Sequence, residues 1–122
     1  MSIPVDLAAL HDQIARCGPS ALLVTTSAAG PPHVSSVIVA FAADDLAIGA
    51  GKTTLANAAE HPAVALVWTD GLDEGYCMIV DAIARPTASG SEVLVVEPKS
   101  AVLHRLASAP SDLPRCLPVG DS

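Results

Sequence analysis

The densest group of side chains able to do chemistry is Lys52-Thr53-Thr54, with Asn57 one helical turn further on. An ammonium and two hydroxyls here follow the glycine turn Gly49-Ala50-Gly51. A turn that opens a helix also presents backbone N–H groups without internal partners, and the combination suits a phosphate. Apolar runs lie on both sides, Leu46-Ala47-Ile48 before and Ala63-Val64-Ala65-Leu66-Val67 after. A phosphate held at this corner would therefore carry an apolar body beside it. The expectation is a phosphorylated, mostly apolar cofactor. The same residues look like the end of a nucleotide-binding P-loop, but the glycine which that motif needs five residues before Gly51 is Leu46. Nucleotide hydrolysis is not expected. The plain alternative for Gly51-Lys52 is a solvated turn leading into a helix.

Other groups have less chemistry to offer. Ser35 and Ser36 are adjacent in a strand-like run, so one hydroxyl should face each side of a sheet. Asp70, Asp73 and Glu74 have oxygen ligands for a metal but no His or Cys nearby, which favours a solvated loop. Cys17, Cys77 and Cys116 are odd in number and lack metal-type spacing, so reduced thiols packed as small hydrophobes are expected. Asp81 sits in an apolar run and would need a partner, with Arg85 or Arg105 as candidates. His33 and His61 read as surface or structural residues.

Composition sets the bounds. A chain of 122 residues makes one domain with one core. Its hydrophobic content is 51% with only 2% aromatics, so the apolar mass is Ala, Val, Leu and Ile. A small domain this apolar should bury its excess in a homodimer. The net charge of −7 and six scattered basic residues argue against nucleic acid and against a membrane surface. The expected location is cytoplasmic, since no basic segment precedes an apolar one at the start and no run suits a spanning helix.

The elements that position these residues follow from local patterns. Residues 4–16 read as a helix stopped by Gly18-Pro19. Residues 20–28 and 33–42 form a hairpin around Ala29-Gly30-Pro31-Pro32. Strand 46–50, a helix over 53–60 with Thr at its cap, and strand 63–69 follow. Strands 76–85 and 91–97 come next, then a helix over 99–107 and a Pro- and Ser-rich arm. Tight turns between short strands imply an antiparallel sheet, and six such strands suit a small barrel. The fold class is mainly β, with short flanking helices. One domain covers 1–122: an N-terminal helix in 1–18, a barrel over 20–97, and a C-terminal helix and arm over 98–122. The arm is expected to pack on a surface, including that of a partner subunit.

In order and spacing, several stretches resemble the flavin-binding split barrel, or pyridoxamine 5'-phosphate oxidase-like, family. They are Leu23-Val24-Thr25-Thr26-Ser27 with Gly30-Pro31-Pro32-His33-Val34, then Asp44-Asp45-Leu46, then Asn57 to Ala63 with His61-Pro62, and Gly75 to Ala84. The resemblance covers residues 5–97. It implies a six-stranded antiparallel split β-barrel, a homodimer, and FMN or a deazaflavin in grooves at the dimer interface. Two basic positions of the better-known members are Ser35 and Thr54 here, with Lys52 two residues upstream. The residues implied for the phosphate are Lys52, Thr53 and Thr54, and for the ring edge Ser35, Ser36 and Val37. Asn57 would orient the turn, and Trp68 or His104 would cover the ring from the partner chain. The expected function is an FMN- or deazaflavin-binding oxidoreductase-like protein acting on a small molecule that the sequence does not specify. The alternatives are a non-enzymatic flavin or haem binder, with His104 beside Arg105 as the suggestive pair, or a barrel without a cofactor. Pyridoxamine-phosphate oxidase activity itself is not expected.

Overall fold

The computed structural model describes residues 2–107 apart from 73, 74, 87 and 89. Its strands are β1 (Ser2–Val5), β2 (Ser20–Thr26), β3 (Pro32–Ala42), β4 (Asp45–Gly49), β5 (Ala63–Trp68), β6 (Tyr76–Ala84) and β7 (Val93–Arg105). Its helices are α1 (Leu10–Cys17) and α2 (Lys52–Glu60), with a 3-10 turn at Leu7–Ala9. The sheet runs β1-β7-β4-β3-β2-β5-β6, and β6 also pairs with β7. That last pairing closes β2 to β7 into a six-stranded antiparallel barrel, with β1 added outside the ring.

The closed ring follows from alternation. Along β2, Ala21, Leu23 and Thr25 point inward; along β6, Met78, Val80, Ala82 and Ala84 do so. Leu23, Leu46, Ile48, Leu66, Trp68, Met78, Val80, Leu94 and Val96 fill the interior with almost no exposed surface. Each aliphatic side chain of this kind contributes about 1.5–3 kcal/mol when fully buried.

α1 packs Leu10, Ile14 and Cys17 on this core, a spacing that places all three on one helix face. It ends at Gly18, whose φ of +94° suits glycine. The carbonyl of Gly18 accepts a bond from the Trp68 indole Nε1 at 3.0 Å. Gly71 approaches the same helix end so closely that an added Cβ would lie 2.5 Å from Cys17 Cα. No substituent fits there.

Three expectations change. Residues 2–5 form a strand rather than the start of α1. Ile3 and Val5 are β-branched, Pro4 is tolerated on an edge strand, and the Asp6 carboxylate caps the next turn through the Ala8 N–H. The helix expected over 99–107 is instead the second half of β7. Its inward positions are Leu94 and Val96, then Ala101 and Leu103, because the ladder skips Lys99 between Ala82–Pro98 and Asp81–Ser100. That bulge breaks the period of two and imitates helical spacing. Finally, Asp81 faces outward and is exposed. It accepts a bond from Ser100 Oγ at 3.3 Å, while Arg85 pairs with Asp45 at 2.6 Å and Glu97 at 3.4 Å. The Asp45 hydrogen bond and charge hold the Arg85 guanidinium above its ordinary value. The arm over 108–122 and Cys116 lie outside the described residues, as do Asp73 and Glu74. Cys17 and Cys77 are free and buried. Among the described residues no helix is long and apolar enough to cross a membrane.

Candidate functional site

The site is built where the ring is split. β4 pairs with β3 only over Ala42 to Val39, opposite Asp45 to Ile48. β3 runs on to Pro32, and over that stretch it pairs only with β2. Ladder alternation decides which backbone groups remain free. Ser27 N–H bonds to the Pro31 carbonyl, and Val39 N–H to that of Pro19. The groups of His33, Ser35, Val37 and Val39 therefore point at β2. Those of Val34 and Ser36 point the other way, to an edge with no ladder partner among the described residues, while Ile38 stands opposite Gly49 at the end of the β4 ladder.

The start of α2 lies beside this edge. Gly49 closes β4 one step beyond the Val39–Ile48 pair, and Ala50 N–H bonds to the Glu92 carbonyl. The chain then turns into α2 at Gly51, whose ψ of 175° is extended. Gly51 is the N-cap and supplies no side-chain bond, so a threonine cap is not what opens the helix. The first-turn N–H groups are left for another acceptor. Lys52 and Thr53 are exposed here, whereas Thr54 is buried against the barrel with Asn57 and Ala58. Asn57 Nδ2 donates to Thr25 Oγ1 at 3.4 Å, which ties α2 to β2.

The two serines divide as expected. Ser36 faces outward and is exposed; Ser35 faces inward, and its Oγ is buried without a partner. Val37 is buried, and its backbone belongs to the β2 ladder. Of the three residues expected at a ring edge, Ser36 has its backbone on the free edge, and Val34, which was not among them, stands there with it. Only the hairpin register reveals that parity, and the Ser27–Pro31 bond sets it.

Two candidates do not join this group. Trp68 is wholly buried and spends its N–H on Gly18, so it covers no ligand. His104 is exposed and contacts Ser2 Oγ through Nδ1 at 3.1 Å. It lies eleven residues along β7 from Val93, the strand position opposite Gly49. That is about 35 Å of strand, so within one protomer His104 is remote from Lys52. His33 is half-buried on the inner face beside Thr25, and His61 ends α2 by donating its N–H to the Asn57 carbonyl.

Beside the split the outer wall is apolar. Leu22, Val34 and Ile38 are 40%, 56% and 63% exposed on β2 and β3, and Val24, Ala65 and Val67 continue the surface onto β5. Ser36, opposite Leu22, and Ser20, opposite Ile38, are polar side chains on this face.

A closed six-stranded ring that gapes along the first half of β3, with a helix starting beside the gap, decides the architecture. The chain has the split-barrel fold. Solved structures share it. An FAD-binding protein from Mycobacterium smegmatis superposes with a TM-score of 0.62 at 16% identity, covering 85% of this chain and 98% of that one. An F420 reductase superposes at 0.57 and 17% identity, covering 69% and 90%. A protein from Clostridium acetobutylicum related to general stress protein 26 of B. subtilis, of the pyridoxinephosphate oxidase family, gives 0.60 at 8% identity, covering 83% and 91%. The sequence itself matches no family model and no curated protein. At these identities it is the split-barrel architecture that is shared.

Proposed function

We propose that this split barrel binds a flavin-type cofactor, FMN or a deazaflavin, in a groove at a homodimer seam, as an oxidoreductase-like protein. The observation that carries the reading is the free β3 edge beside the uncapped start of α2. The edge offers both N–H donors and carbonyl acceptors at Val34 and Ser36, which suits the polar rim of a flat ring. The helix start offers the Lys52 ammonium, the Thr53 hydroxyl and first-turn N–H groups, which suit a phosphate. The buried, partnerless Ser35 Oγ just inside β3 is a further polar group that the protein alone leaves unused. These residues fit a flavin phosphate with one cation rather than two. Thr54, buried under α2, contributes its backbone only.

A bound flavin would supply the redox chemistry, while the chain supplies placement, hydrogen bonds and exclusion of water. The names of the structural neighbours support this class: one is FAD-binding and one is an F420 reductase. The dimer reading is supported by the apolar wall of Leu22, Val34 and Ile38 flanking the split. A second copy docked on that wall would cover the groove from outside, and only that copy's His104 lies free of the distance limit within one protomer.

The purified protein should carry a flavin absorption spectrum, or quench the fluorescence of added FMN or deazaflavin with saturation. A colourless protein that quenches neither would overturn the proposal.

A further inference from the structure

The two helices are seated in different ways. α1 buries Leu10, Ile14 and Cys17 in the core. α2 buries Thr54, Asn57 and Ala58. Among the described residues the buried polar side chains are Thr25, Thr54 and Asn57, and all three lie in the seat between α2 and the barrel. Ser35 Oγ, orphaned on the inner face of β3 two positions from the partner of Thr25, adds an uncompensated hydroxyl at that end. Among the described residues the side-chain bond across the seat, Asn57 to Thr25, is long at 3.4 Å. Leu55 is the large apolar side chain of α2, and it is only half-buried where it packs against the core.

A helix of nine residues does not hold itself in water. Its stability is that of its seat, and this seat gains little from apolar burial and carries an unpaired hydroxyl. The connections allow movement. Gly49 and Gly51 stand in open space at one end, with nothing within 4 Å of an added Cβ. His61, with a non-helical backbone, precedes Pro62 at the other. The barrel ring does not depend on α2, because β4 and β5 are each held by two other strands.

We infer that α2 is a polar-seated plug that opens as a separate unit while the barrel stays closed, with the Asn57–Thr25 bond as its latch. Opening uncovers the inner polar group of Thr25 and Ser35 and moves the Lys52 corner away from the β3 edge. Thr25 and Asn57 are positioning residues in this device.

Amide hydrogen exchange on the full-length protein tests it. Amides of 55–60 should exchange at least about tenfold faster than the β5 amides of 64–67, by an opening that leaves β5 protected. Thr25→Val keeps the shape and deletes the acceptor. It should speed α2 exchange by about three- to tenfold, the range for one hydrogen bond, with β5 unchanged. Thr25→Ser should restore the slow rate. Ser35→Ala removes the orphan and should slow α2 exchange, giving a second reading if Thr25→Val folds poorly. Exchange of α2 and β5 at one common rate, or equal acceleration of both by Thr25→Val, would overturn the inference. Neither outcome depends on a ligand, so the plug and the flavin site stand or fall separately.

Discussion

Replacing Lys52 with alanine separates the phosphate from the ring. Lys52 is the first residue of α2 and exposed, so its removal leaves the fold and the β3 edge in place. A charge-assisted hydrogen bond contributes about 1.5–3 kcal/mol net. At an exposed position, solvent screening reduces this to roughly 0.5–1.5 kcal/mol. The expected loss of FMN affinity is therefore about 2- to 12-fold. It is not total, because the first-turn N–H groups and the Thr53 hydroxyl remain. Riboflavin has the same ring and no phosphate, so Lys52→Ala should leave its affinity within about twofold. Fluorescence-quenching titrations of both ligands, on both proteins, give the four constants required. Raising the ionic strength from about 0.1 M to about 1 M shortens the screening length from about 10 Å to about 3 Å. Wild type should then approach the variant for FMN and change little for riboflavin. Equal losses for the two ligands would show that the anchor lies elsewhere and would refute the assignment of this corner.

Two further perturbations check the remaining structure. Ile38→Lys places a charge at the most exposed large apolar side chain of the wall; sedimentation should show a monomer with an unchanged thermal midpoint, and an intact dimer would remove this wall from the seam. Gly71→Ala meets a positive φ of 74° and a 2.5 Å approach to Cys17 Cα, whereas Gly75→Ala meets a φ of 86° and open space. Thermal unfolding should drop by roughly 10 °C for the first and about half that for the second, and equal drops would mean that the α1 contact yields freely.

Much of this was legible in the residues themselves. The hairpin 20–42 announced itself through a Gly-Pro-Pro turn between apolar runs, and α2 through a glycine turn before and Pro62 after. Lys52 at a helix start and Ser36 on a strand could be placed because a glycine turn and a hydroxyl-bearing apolar run have local signatures. What escaped was whatever depended on pairing. β1 is four residues long and exists because β7 offers it an edge, a hundred residues away in sequence. The second half of β7 hides behind a one-residue bulge. The burial of Trp68 depends on a carbonyl fifty positions earlier, which no local pattern shows. Val34 could not be told from an ordinary outward strand residue without the register of the hairpin.

β7 touches β1, β4 and β6, and it is the last of the described strands to leave the ribosome. Until it is made, the nascent chain is an open sheet with β4 and β6 as bare margins and a dry interior turned to water. Such an intermediate is the form most apt to be caught by a chaperone or by another copy of itself. The protein's hazard during synthesis is thus concentrated in the interval before one strand arrives. A message truncated ahead of Val93 would produce a sticky fragment rather than a smaller barrel.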